Sequence, residues 1–198
     1  MAEFNPGATE QITSIMQTIL LIKFNSICLL LACSMLSPLL ADDKPPTVGD
    51  TAPDFRLQTA DGKTHQLKKL RGSVVLLIAG NRKLRKDDDR WGRAVTANFK
   101  GRTSICSYIL GDMRNIPRFI SRNFIKKQLL KKPPPVPLLL DWEGKVHQLY
   151  GAECSKRKKP GLYLIDQQGK IVFHQYARFD PKLYQKILQI INDLLPRP

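Results

Sequence analysis

Cysteine is scarce in this chain of 198 residues, and its placement excludes more than its number does. Of the four, Cys28 and Cys33 fall in an apolar stretch near the start, leaving Cys106 and Cys154 in the remainder. Neither belongs to a C-x-x-C pair or a metal-spaced cluster, and there is no C-x-x-C-H haem-attachment site. The three histidines, His65, His147 and His174, stand far apart, so each reads as a surface or strand residue rather than a ligand. No metal site and no cofactor follow from this inventory. Acidic residues are also few, 17 against 32 lysines and arginines, for a net charge of +15. That balance favours acidic partners, such as an anionic lipid head group, an envelope polymer, nucleic acid or an acidic protein face. The plain alternative is a basic surface that serves only solubility. Internal repeats are absent.

A long apolar span is missing as well. The run 27–40, broken by Pro38, falls short of the ~18 apolar residues that cross a bilayer. It follows Met16 and the single cation Lys23, and ends in Leu39-Leu40-Ala41 before Asp42-Asp43. This pattern reads as a secretory signal peptide with Met16 as its start and cleavage after Ala41, which makes 1–41 an extension, 42–47 a linker and 48–198 the domain. Two alternatives stay open: lipidation at Cys33, where Leu30-Leu31-Ala32-Cys33 resembles a lipobox, and an uncleaved anchor. Export, to the periplasm or an equivalent envelope site, would make nucleic acid an unexpected partner in the cell. Residues 1–41 carry one lysine and two glutamates, so the exported domain keeps 31 basic against 15 acidic side chains.

In the domain, Phe55 and Leu57 alternate with polar neighbours, Ala60-Asp61-Gly62-Lys63 signals a turn, and 64–67 can return as a hairpin arm. The run 74–79 is apolar and β-branched, the mark of a strand buried on both faces. Asp87-Asp88-Asp89 precede Trp91, Ala94, Val95 and Phe99 at helical spacing, which predicts three solvated acids opening an amphipathic helix. A strand over 102–110 and helical spacing from Ile116 to Leu130 follow. The proline-rich segment 133–137 then leads to Leu138-Leu139-Leu140-Asp141. Strand runs 161–165 and 171–176 flank a turn, and Asp180-Pro181 opens a final helix. The order describes a small α/β sandwich.

Gly49-Asp50-Thr51-Ala52-Pro53-Asp54-Phe55-Arg56-Leu57 resembles the opening G-x-x-A-P-D-F-x-L of redoxins, the alkyl-hydroperoxide-reductase and thiol-specific-antioxidant branch of the thioredoxin superfamily. Asp61-Gly62-Lys63, Leu70-Arg71-Gly72, Leu139-Leu140-Asp141, Tyr150-Gly151 and Pro160-Gly161-Leu162-Tyr163-Leu164-Ile165-Asp166 follow in that family's order. The resemblance covers roughly 48–195. It implies a thioredoxin-like sandwich, with a central mixed β-sheet flanked by helices and an N-terminal β-hairpin. It also implies a reactive cysteine just after the strand at 74–80, and a cis-proline at Pro160 facing it.

That cysteine is missing. Asn81-Arg82-Lys83-Leu84-Arg85-Lys86 occupies the position, and none of these side chains attacks a peroxide or a disulfide. Two expectations result. In the first, the redoxin-type site is degenerate and the domain acts as a binding or accessory module. Arg82, Lys83, Arg85 and Lys86 would then meet Lys156, Arg157, Lys158 and Lys159 in one anionic-ligand face beside Pro160. In the second, Cys154, followed by four cations within five residues, serves as a thiolate in a one-cysteine oxidoreductase or antioxidant. Cys106 reads as a small core residue, although an even pair permits a Cys106–Cys154 disulfide.

Overall fold

A computed structural model describes residues 44–195. The signal segment, its start at Met16, cleavage after Ala41 and the Cys33 alternative lie outside the described residues. Two short strands, β1 (Arg56–Gln58) and β2 (Thr64–Gln66), form the N-terminal hairpin. Its turn places Gly62 at φ +85°, a conformation a side chain resists. The Asp54 carboxylate accepts from Gln66 Nε2 (2.8 Å) and the Lys68 amide (2.9 Å), binding the A-P-D-F segment to the 3-10 turn Leu67–Leu70.

Five strands make the main sheet: β3 (Val74–Asn81), β4 (Ile105–Asp112), β5 (Leu138–Asp141), β6 (Gly161–Ile165) and β7 (Ile171–Tyr176), in the order β5-β4-β3-β6-β7. The first three run parallel, while β6 and β7 are antiparallel to their neighbours, so the sheet is mixed. All eight residues of β3 are buried, as its unbroken apolar run requires. Alternation then splits the core. Val74, Leu76 and Ile78 pack with Trp91, Val95 and Phe99 of α1 (Arg85–Phe99) and with Tyr184, Ile187 and Ile191 of α5 (Pro181–Leu194). Val75, Leu77 and Ala79 pack on the other face with Phe55, Val146, Tyr150 and Cys154. These last come from the N-terminal segment, α3 (Lys145–Leu149) and α4 (Cys154–Arg157).

Local signals set the helix ends. Asp180 caps α5 by accepting from the Lys182 amide at 2.9 Å, with proline in the first turn. The helical spacing from Ile116 is only partly realised, since α2 spans Arg122–Lys131. Ser121 accepts from the Phe124 amide (3.2 Å) and starts the helix there, leaving Ile116 and Ile120 in the preceding loop. Among the described residues no helix is long and apolar enough to cross a membrane.

Candidate functional site

The three parallel strands end together. Their register sets Asn81 beside Asp112 and Asp112 beside Asp141, so the carboxyl ends of β3, β4 and β5 carry one row of polar residues. Asn81 joins the two basic loops. Its carbonyl accepts from the Lys83 amide (2.9 Å), capping the 3-10 turn Arg82–Leu84, and its amide donates to Ser155 Oγ (3.1 Å). Between the loops lies a cavity of about 610 Å³ that takes Arg82, Lys83 and Lys158 into its wall together with Arg178.

Sequence reasoning missed Arg178. The Ala177 amide donates to the Pro160 carbonyl at 3.0 Å, so the residue after it arrives beside the second loop. The antiparallel β6–β7 pairing was the signal that could have found it. The remaining expected cations are divided. Arg85 lines a neighbouring cavity and stands 3.8 Å from Asp89. Lys156 pairs with Glu153 at 2.9 Å, while Arg157 lies 4.0 Å from the same carboxylate and over the Tyr176 ring. Lys86 and Lys159 are exposed and line neither cavity.

Two expectations are corrected. Among the described residues no peptide bond is cis, so the bond before Pro160 is trans. The chain makes its local change of direction at Lys158 instead, which takes a left-handed φ of +53°. Cys154 is also not a poised thiolate. It is buried at the start of α4, and its Sγ donates to the Ala79 carbonyl at 3.0 Å. Burial pushes the thiol up to about 11, and the nearby Asp88 and Asp112 add in the same direction. The cations that follow it in sequence sit on exposed side chains and do not reverse this. Cys106 and Cys154 are both free, and Cys106 is half-buried with its thiol likewise raised by burial.

His147 departs most from its expected role, being 1% exposed rather than on the surface. Its Nδ1 lies 3.0 Å from Asp141 Oδ2 and its Nε2 lies 3.1 Å from the Gly80 carbonyl. Burial alone would raise Asp141, but the hydrogen bonds from the His147 ring and backbone outweigh it and hold the carboxyl below its ordinary range. One ring thus bridges the end of β5 and the backbone of β3. Asp112 is held low in the same way: burial is outweighed by Arg114, which donates from Nε at 2.9 Å and from its terminal nitrogen at 2.8 Å.

Asp88 overturns the reading of three solvated acids. It is 3% exposed, and its Oδ1 has no hydrogen-bond partner. Burial pushes it up to about 8, with Asp89 and Asp87 adding repulsion. Its carboxyl fills the space that a side chain at position 80 would take, so any larger residue there would have to displace it.

The fold is thioredoxin-like: a mixed five-stranded sheet between helices, with a two-stranded antiparallel hairpin. Solved structures of thioredoxin-like and redoxin proteins share it. A protein assigned as the thiol:disulfide interchange protein DsbE of Chlorobium tepidum is 25% identical with a TM-score of 0.57, the match covering 74% of this chain and 99% of that one. The pneumococcal exposed lipoprotein thioredoxin of Streptococcus pneumoniae is 21% identical with a TM-score of 0.55, covering 72% and 100%. A peroxiredoxin-like protein from Aquifex aeolicus is 16% identical with a TM-score of 0.58, covering 77% and 90%. No family model and no curated protein matches the chain.

Proposed function

We propose that this protein is an exported binding module on a thioredoxin-like scaffold, in which a basic cavity stands where redoxins keep a reactive thiol. The observation that carries this reading is the cavity between the loops after β3 and α4. Arg82, Lys83, Lys158 and Arg178 line it, while Cys154, also in its wall, is buried and bound to the Ala79 carbonyl. Four cations converging on one concave surface attract an anion: an acidic protein segment, a lipid head group or an envelope polymer. Export is supported by the apolar run before Asp42 and by the likeness to an exposed lipoprotein thioredoxin. Intact mass of the exported protein distinguishes cleavage after Ala41 from a diacylglyceryl adduct on Cys33.

Binding of a polyanion such as polyphosphate tests the reading. Affinity should fall as salt rises, because the Debye length shrinks from ~10 Å at 0.1 M to ~3 Å at 1 M. Replacing Arg82, Lys83 and Lys158 together with serine should weaken binding at least tenfold, while Lys131→Ser with Lys132→Ser should change it less than twofold. Equal loss in both variants would mean that the charge is diffuse and the cavity is not the site.

The second reading, a one-cysteine oxidoreductase using Cys154, is favoured by the printed activity of the 25% identical neighbour. It requires the thiol to leave the Ala79 carbonyl and ionise. Insulin-reductase or peroxidase turnover that Cys154→Ser abolishes would establish it in place of the first.

A further inference from the structure

Beside the basic cavity lies a second one, of about 200 Å³, between α1, α2 and the loop that joins β4 to α2. Its wall is mainly apolar, formed by Ile109, Ile116, Ile120, Ile125, Leu129 and Leu138. The two cavities share Asn81, Arg82, Asp112 and Ile116, so they meet along one boundary. We infer that the site takes an amphipathic anion, with an alkyl chain in the apolar cavity and a carboxylate head at the boundary, between Arg82 and Asp88. This inference rests on the anion-binding reading and names the ligand class for it.

Asp88, in the wall of the apolar cavity, is what marks a ligand position there. Other acids near it already have partners: Asp112 is held by Arg114 and Asp89 faces Arg85 at 3.8 Å. Asp88 lines the apolar cavity, is almost fully buried and has an oxygen with no partner in the protein. Leaving a buried polar group unsatisfied is costly, and a ligand that bonds the carboxyl where it lines the cavity offsets part of that cost. Below its raised value of about 8 this acid is protonated and can donate to a ligand oxygen. Arg82 supplies the opposite charge. The groups that act on Asp88 are Asp87 and Asp89 on its own helix and the Cys154 thiol on α4, while Arg82, Arg85 and Asp112 line the same cavity. Ionisation of Asp88 would put an anion against the ligand head.

The cavity has room for on the order of seven methylene-sized groups at ~30 Å³ each, the share of a water molecule in the liquid. Calorimetric titration of the full chain with acetate, hexanoate, octanoate and decanoate, at low salt and pH 6.5, reads the apolar part directly in the wild type. Affinity should rise about fourfold per methylene through octanoate and then level off. Octanoate binding should fall at least tenfold between pH 6.5 and 9.5, and this pH dependence should flatten to under twofold in Asp88→Asn, whose amide donates without ionising. Acetate and octanoate binding alike, or 1-octanol binding as well as octanoate, would overturn the inference. If polyphosphate binds but no alkyl carboxylate does, the amphipathic ligand is wrong and the anion-binding reading stands. If no anion binds at all, both fall together.

Discussion

His147 holds three elements with one side chain. Its ring reaches Asp141 at the end of β5 and the Gly80 carbonyl at the end of β3, while its backbone amide donates to the same Asp141 oxygen at 2.9 Å. Both partners are almost fully buried, with side-chain exposures of 1% and 3%. Removing the ring would strand a buried carboxylate and leave a carbonyl unpaired, which is where buried ion pairs cost most when broken. His147→Ala should therefore destabilise the fold by roughly 3–5 kcal/mol, read from urea or guanidinium unfolding. Loss below 1 kcal/mol would mean that the ring's hydrogen bonds are replaced by water. Asp141→Asn combined with His147→Ala should recover part of the loss, because the stranded charge is gone.

At the scale of elements, the loops after β3 and around α4 act as a unit through Asn81. Asn81→Ala removes both the cap on the Arg82–Leu84 turn and the bond to Ser155. A lost cap costs about 1 kcal/mol, so stability should fall by that order, and amide exchange at Lys83 should speed up. Unchanged exchange at Lys83 would show that the turn holds without its cap. The same elements divide what sequence could reveal from what it could not. The β3 run, the hairpin at 56–66, the β6–β7 turn and the Asp180-Pro181 start of α5 were legible because local pattern decides them: apolar continuity, turn residues and capping chemistry. Asp88, His147 and Arg178 were not. Asp88 looks like its two half-buried neighbours until β3 packs over the first turn of α1, and one of the two acceptors of His147, the Gly80 carbonyl, lies 67 residues away in sequence. The start of α2 was misjudged because apolar spacing at Ile116 and Ile120 lines a cavity rather than continuing a helix. The cis form expected at Pro160 was a family pattern that no local property of this chain imposes.

For the whole molecule, these buried groups set opposing slopes of stability against pH. Asp112 and Asp141 are held low, so each contributes stability present above its unfolded value and lost as pH falls through its folded one. Asp88 has the reverse sign. Its folded value of about 8 lies above the ordinary 3.8, so the native state holds a proton that the unfolded chain has released. Stability from this group is greatest below about 4, declines as pH rises towards 8, and is flat above that. His65 and His174, held low first by partial burial, lose stability as pH falls below about 6.5, because there the unfolded chain gains protons that the half-buried rings resist. Comparing wild type with Asp88→Asn cancels every contribution the two proteins share. The melting temperature of Asp88→Asn should exceed that of wild type by a margin that grows from pH 5 to pH 8 and then stops growing. A constant margin across that range would mean that Asp88 is ionised throughout, with a water or cation satisfying it, and its role as a proton donor in the wall of the apolar cavity would have to be abandoned.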